Sequence, residues 1–290
     1  RSRTGLRGAI AQLVTATSSP LPAALLRRAQ ESGVHLERLV DYQRVLDVEG
    51  YRDDLLRRLA ADPVYPRARY LEQRVTAWNP GTLEKQDIDG AADWMVSRLS
   101  EADGSFLLVL GPAGVGKTFL LREVARRLAT EQQVVTPILI DLRNLESAHD
   151  VLQLAAWHFS QRKLSFPFRA FERDLREGRI ALLFDGFDEL ALRVKSSAVP
   201  AHFERIISAA REQARVVVTS RTEHFLSRGQ VEDLMVRAPA GITSLGWTLQ
   251  AVARRQLIGV KQFERSDVER YLKNAFGETA GGERYRRLGA

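Results

Sequence analysis

Apolar residues along the chain form two patterns: short, largely apolar runs, and longer stretches in which they recur at helical spacing. The largely apolar runs are of strand length and lie at 105–110, 138–142, 180–184 and 215–218. Segments with apolar positions three or four residues apart follow most of them. Buried strands that alternate with helices indicate an α/β fold, and open sheets of this class bind ligands at the carboxyl ends of their strands.

The first 75 residues show shorter apolar stretches, mostly at helical spacing. Apolar positions from Leu36 to Leu46 share one helical face. No catalytic constellation stands out in this part of the chain, which we interpret as a small helical bundle or a linker to an upstream module. Downstream of Leu46 the pattern predicts a helix over 53–61, an extended strand over 69–75 and an amphipathic helix over 88–99.

A glycine-rich loop with the pattern G-x-x-x-x-G-K-T lies between the run at 105–110 and its helix. Its glycines let the backbone turn tightly and bring N–H groups against phosphate oxygens, and the helix N-terminus adds a partial positive charge. Lys117 is expected to place its ammonium on the β- and γ-phosphates, and Thr118 to offer its hydroxyl to Mg²⁺. We call this loop the P-loop; it consists of Gly111, Pro112, Ala113, Gly114, Val115, Gly116, Lys117 and Thr118.

The run at 180–184 ends in a carboxylate, and two more acidic residues follow. Asp185 comes at the predicted strand end, with Asp188 and Glu189 just beyond it. Asp185 would hold Mg²⁺ through water opposite Thr118, whereas Asp188 and Glu189 could polarise an attacking water. A plain strand followed by a polar turn gives the same pattern, but its position downstream of a P-loop favours the catalytic interpretation.

A further buried strand, over 215–221, ends in polar residues. We predict that it lies beside the P-loop strand, which would bring Thr219, Ser220 or Arg221 near the γ-phosphate. Because a guanidinium matches a phosphate with two hydrogen bonds, Arg221 could sense that phosphate. The alternative is that Arg221 simply caps the end of the strand.

Composition limits the class of protein. Hydrophobic residues make up 44% of the chain, which supports a packed core, and no apolar run approaches the roughly 18 residues of a membrane helix. The absence of cysteine excludes disulfides and fits a reducing compartment, for which we predict the cytoplasm. The net charge of +7 permits nucleic-acid contact, although paired arginines with acidic neighbours are also typical of solvated helix faces.

Together, these segments resemble a NACHT domain, which belongs to the STAND group of P-loop NTPases. The resemblance covers residues 85–275, and the chain from 262 to 272 also resembles the start of the helical subdomain that follows a NACHT core. The segments that carry it are the P-loop with its strand and helix, the strand at 138–143, the Asp-Gly-Phe-Asp-Glu stretch at 185–189 and the strand at 217–221.

The resemblance implies a five-stranded parallel sheet of the additional-strand, catalytic-glutamate type. The ligand would be ATP or dATP with Mg²⁺, and ADP would hold a closed monomer until nucleotide exchange drives oligomerisation. By the same resemblance, the P-loop binds phosphates, Asp185 serves Mg²⁺ and Arg221 acts as the sensor. Hydrolysis would be carried by Asp188 and Glu189.

The resemblance also implies a domain organisation and a biological setting. Bacterial proteins of this kind serve in antiviral (antiphage) defence, joined to an upstream effector and a downstream sensor. The chain has no initiating Met, and we expect it to be a piece of such a longer protein. We predict a helical N-terminal region or linker over 1–80, a NACHT nucleotide-binding domain over 81–250 and the start of a helical subdomain over 251–290.

Three functions are open at this point. The first is a signalling ATPase switch that self-associates under nucleotide control. The second is a DNA-remodelling or DNA-loading AAA+-like ATPase, which would use the basic charge. The third is a nucleotide-gated scaffold that scarcely hydrolyses ATP, although the intact pair Asp188 and Glu189 favours some hydrolysis.

Overall fold

The chain divides into two units after Leu46. A computed structural model gives their architecture. In the part of the chain that it describes, no helix has the length and apolar character of a membrane span. The described residues are 11–15, 22–32, 34–38, 46–78, 84–130, 135–142, 151–193, 202–203, 206, 209–210, 212–222 and 254–288.

The first unit contains a β–α–β arrangement. Strands β1 (Ala11–Thr15) and β2 (Val34–Arg38) pair in parallel, and helix α1 (Ala23–Glu31) lies between them in sequence, as parallel pairing requires a crossover. The expectation of a helical N-terminal segment is therefore wrong at both strands. Val34 and Leu36 alternate with a polar residue, as in a strand, whereas Leu36 and Leu39 have helical spacing, and so short a stretch does not separate the two periods.

The second unit is built on a seven-stranded sheet with the order β4-β3-β9-β5-β8-β7-β6. The five strands from β9 to β6 run parallel, which confirms the predicted five-stranded parallel sheet. Strand β8 lies directly beside β5, also as predicted. The strands are β3 (Val75–Trp78), β4 (Lys85–Ile88), β5 (Ser105–Gly111), β6 (Thr136–Asp141), β7 (Ile180–Asp185), β8 (Arg215–Arg221) and β9 (Arg254–Val260).

Two antiparallel strands extend this sheet in a way that the sequence pattern did not predict. Strand β3 pairs with both β4 and β9. The strand expected over 69–75 begins only at Val75, because the pairing with β4 and β9 starts there, and a 3₁₀ turn occupies Arg67–Arg69. The helix expected over 88–99 begins at Ala91, because Ile88 ends β4 and the two residues after it turn the chain. The predicted domain boundaries at residues 80 and 250 both lie outside the described residues and stay predictions.

The helices of the second unit include the P-loop helix α4, whose apolar face is buried at Leu120, Val124 and Leu128. Helix α8 (Arg265–Phe276) is followed by the C-cap Gly277, which has φ +84° and is the predicted stop. The helices are α2 (Val48–Ala61), α3 (Ala91–Ser100), α4 (Lys117–Thr130), α5 (Val151–Gln161), α6 (Phe168–Arg176), α7 (Phe187–Arg193), α8 (Arg265–Phe276) and α9 (Glu278–Leu288).

A buried polar cluster joins α2 to β6 and α5. The Tyr51 hydroxyl accepts a hydrogen bond from the Leu139 N–H at 3.1 Å and lies 2.8 Å from His158 Nε2. The Arg162 guanidinium donates to His158 Nδ1 at 3.0 Å, and since arginine has only donors, the proton of the neutral imidazole lies on Nε2. Burial, followed by the charges of Arg162 and Arg58, lowers the pKa of His158 well below its usual value.

We expect the free energy of unfolding to fall as the pH is lowered below about 6.5, because the unfolded chain then binds a proton at His158 that the folded chain excludes. The contribution of His158 to stability is complete above the pKa of histidine in the unfolded chain, and it is lost as the pH falls toward the lowered pKa of the folded chain. In that range the free energy of unfolding changes by up to about 1.4 kcal/mol per pH unit. His158→Gln keeps a donor near Tyr51 but does not titrate. Urea unfolding of both chains at several pH values should show a shallower dependence in the variant, and equal slopes would contradict the assignment.

Candidate nucleotide-binding site

The P-loop joins the end of β5 to the first turn of α4, so its backbone N–H groups lie at a helix N-terminus. Gly114 and Gly116 have φ values of +76° and +97°, which L-residues rarely adopt. A Cβ atom at Gly114 would meet nothing within 4 Å, whereas one at Gly116 would lie 2.4 Å from Gln73 Nε2. Gly114 therefore borders open space, and a phosphate chain can approach the backbone there without meeting a side chain.

The Lys117 ammonium folds back over the start of the P-loop. Its Nζ donates hydrogen bonds to the carbonyl oxygens of Gly111 at 2.8 Å and Pro112 at 2.9 Å. The positive charge therefore lies on the same loop in which Gly114 borders open space. This is a charge placement that suits an anionic ligand.

Asp185, at the end of β7, connects the P-loop to β8. Its Oδ1 accepts from the Thr118 hydroxyl at 3.2 Å and from the Thr219 hydroxyl at 2.7 Å, and the carboxylate is buried. The Thr219 hydroxyl in turn accepts from the Gly186 N–H at 3.0 Å, which orients it toward Asp185. Oxygen ligands of this kind are those that Mg²⁺ prefers.

A second carboxylate ends the neighbouring strand, since Asp141 is the partner of Asp185 in the β6–β7 register. Both residues line a cleft of about 620 Å³, together with Arg122 and Trp157. Among the described residues, no three His, Cys, Asp or Glu side chains form a metal-binding group. The donors fit a cation that keeps several waters and shares its ligands with phosphate, as Mg²⁺ does, rather than one enclosed by protein.

Asp188 and Glu189 both lie in the first turn of α7, but their surroundings differ. Asp188 is 3% exposed and holds the end of β8, since its carboxylate accepts from the Arg221 N–H at 3.1 Å and pairs with Arg221 Nε at 2.9 Å. Glu189 is only half-buried. Arg221 thus contacts a predicted hydrolytic residue, and the separate roles of Asp188, Glu189 and Arg221 remain predictions.

Gln73 and Asp141 are site residues that sequence reasoning did not single out. Gln73 lies in the extended segment before β3, and its Nε2 donates to the Gly116 carbonyl oxygen at 2.8 Å. No motif marks either residue. The register of β6 and β7, had it been known, would have placed Asp141 beside Asp185. The Gln73 contact depends instead on the path of a segment without regular structure.

Alanine at the two positive-φ glycines should have different effects. Gly114→Ala is expected to cost about 1–2 kcal/mol of stability from backbone strain alone. Gly116→Ala should cost about 1 kcal/mol more, because its Cβ also displaces the Gln73 amide. The double variant Gly116→Ala, Gln73→Ala should recover part of that difference, as contacting residues do not add. Thermal unfolding without nucleotide measures all three, and equal losses at the two glycines would contradict the Gln73 contact.

A strand, a glycine-rich loop and a helix, set against a strand-end aspartate and a threonine hydroxyl, define a P-loop NTPase. A family model of the NACHT domain matches residues 105–279, more than half of the chain. The chain therefore belongs to the NACHT family, as the resemblance indicated.

Other comparisons extend over larger proteins. An uncharacterized WD repeat-containing protein of Nostoc sp. (strain PCC 7120) is 28% identical over 243 residues, which cover 78% of this chain and 15% of that protein. The replication initiator DnaA bound to AMPPCP and single-stranded DNA superposes with a TM-score of 0.40 and 11% identity, over 68% of this chain and 53% of that one. Domain III of Thermotoga maritima DnaA gives 0.37 and 12%, over 63% and 65%. We draw nothing about function from superpositions this weak.

Proposed function

We propose that this chain is the ATP-binding and hydrolysing core of a signalling switch whose nucleotide state controls self-association. The observation that carries the proposal is the hydrogen bond from Thr118 to Asp185 in a NACHT-family chain. It unites the end of the P-loop with the carboxylate of β7, which are the two parts that a nucleotide with Mg²⁺ requires. Slow turnover suits such a switch, because each state must persist long enough to be read.

Each residue of the site has a role in this proposal. When bound, the nucleotide and Mg²⁺ supply the reactive phosphate chain and neutralise its charge. Lys117 and the P-loop N–H groups bind the β- and γ-phosphates, and Thr118 and Asp185 hold the cation. Glu189 accepts a proton from the attacking water at its carboxylate. Asp188 orients Arg221, which is the proposed sensor of the γ-phosphate.

The wider setting is also part of the proposal. We place the protein in the cytoplasm and in antiviral (antiphage) defence, with an effector upstream and a sensor downstream of this chain. The Nostoc relative is named for its WD repeats, and this chain matches only 15% of it. A match to so small a share of that protein supports a NACHT core that is one module among several.

Native mass spectrometry tests this proposal on the purified chain, alone and with ATP and Mg²⁺. Retained ADP on a monomer, with ATP-dependent growth to a defined oligomer, is the expected result. The Lys117→Ala variant should lose both. A chain that holds no nucleotide and gains mass only when DNA is added would instead favour a DNA-remodelling ATPase, and that binding should then weaken steeply with salt.

A further inference from the structure

One buried side chain outside the P-loop sequence contacts the P-loop backbone. Gln73 is 2% exposed, and its Nε2 donates to the Gly116 carbonyl oxygen at 2.8 Å. Since a carbonyl oxygen can only accept, the amide nitrogen must face it, which fixes the orientation of the amide. The backbone of Gln73 is held as well, because its carbonyl oxygen accepts from the Ala91 N–H at 3.1 Å.

This contact acts on the peptide that joins Gly116 to Lys117. The Gly116 carbonyl also accepts the Leu120 N–H at 2.9 Å, so two donors hold the same oxygen. The described chain has no cis peptide bond, and in a planar trans peptide the C=O and N–H point in opposite directions. The Gly116 carbonyl points into the helix, toward the Leu120 N–H, so the Lys117 N–H points out of the helix N-terminus. That is the direction in which a P-loop presents its N–H groups to phosphate.

The core gains little from glutamine at this position. Among the described residues, Gln73 Oε1 has no hydrogen-bond partner although it is buried. A buried acceptor without a partner opposes folding, and an apolar side chain of similar length would avoid that cost. The presence of an amide at this position is better explained by its N–H donor, which bonds the P-loop backbone at Gly116.

We propose that Gln73 is a positioning residue for phosphate binding, acting through the Gly116–Lys117 peptide. This inference rests on the proposed nucleotide-binding function. It predicts that the nucleotide affinity and the stability of the fold respond differently when the amide is removed.

Isothermal titration calorimetry with ADP and Mg²⁺ tests the inference, beside thermal unfolding without nucleotide. Gln73→Met removes the donor at similar length and should raise Kd about three- to tenfold without lowering the melting temperature. Gln73→Glu should raise Kd further, because a carboxylate would face the Gly116 carbonyl oxygen. Binding by Gln73→Met at the wild-type Kd would overturn the inference.

The neighbouring Arg74 provides a matched control. Its guanidinium pairs with Glu264 and with Asp267, at 2.9 Å for the latter, and neither partner belongs to the P-loop. Arg74→Ala should therefore bind ADP with a Kd within about twofold of wild type. If Gln73→Met and Arg74→Ala weaken ADP binding and lower the melting temperature to the same extent, Gln73 serves only the fold and the inference fails. If the wild-type chain binds no ADP at all, the proposed function itself fails, which is a separate result.

Discussion

Lys117→Ala is expected to weaken ADP and ATP binding about 100-fold, because charged hydrogen bonds to the phosphates are lost from a site that otherwise offers neutral backbone donors. In the structure the ammonium donates to the main-chain carbonyl oxygens of Gly111 and Pro112, so the change removes two hydrogen bonds within the P-loop. The fold should survive the change. Isothermal titration calorimetry gives the affinity, and thermal unfolding without nucleotide reports on the fold.

Lys273→Ala is a suitable control for that experiment, since it removes a lysine from the surface of α8 that pairs with Glu269 at 3.0 Å. It should bind nucleotide as wild type does. Unchanged affinity in Lys117→Ala would show that the P-loop is not the nucleotide site. Equal losses in both variants would point to the net charge of the chain rather than to a particular ammonium.

Glu189→Gln should lower ATP turnover about 100- to 1,000-fold while leaving the affinity for ATP nearly unchanged, because an amide cannot accept the proton of an attacking water. Asp188→Asn should behave differently. It weakens the ion pair with Arg221 at the end of β8, so stability and turnover should both fall. Steady-state ATP hydrolysis and thermal unfolding of the two variants distinguish these effects.

Turnover and stability of Glu189→Gln and Asp188→Asn, measured side by side, distinguish three assignments. Loss of turnover in Glu189→Gln without loss of stability, beside a joint loss of turnover and stability in Asp188→Asn, assigns the base to Glu189. Loss of turnover confined to Asp188→Asn, without loss of stability, transfers that role to Asp188. If the wild-type chain binds ATP but neither variant changes its turnover, the nucleotide-gated scaffold becomes the better description of the protein.

Features that depend on local sequence could be predicted. The P-loop is specified by glycines, a lysine and a threonine within eight residues, and Asp185 by its place at the end of an apolar run. The parallel strands β5, β7 and β8 are buried along most of their length, so they appear as unbroken apolar runs. That pattern is typical of parallel sheets.

Features that depend on pairing between distant segments could not be predicted in the same way. Strand β9 contains an apolar run of only four residues between polar neighbours, and its pairing with β5 and β3 is what makes it a strand. Strand β4 is polar and mostly exposed, so it carries no apolar signal. Gln73 reaches the P-loop across 43 sequence positions, a contact that no local period encodes.

The antiparallel pair β3–β4 changes what the sheet offers to other molecules. Without it, β9 would be an edge strand with unpaired N–H and C=O groups, open to pairing with another chain. The edge is instead β4, where Lys85, Gln86 and Asp87 are exposed and Asp87 pairs with Lys261 at 2.7 Å. A short, charged edge resists the addition of further strands. Edge-to-edge pairing between copies of this chain is thereby disfavoured at β4.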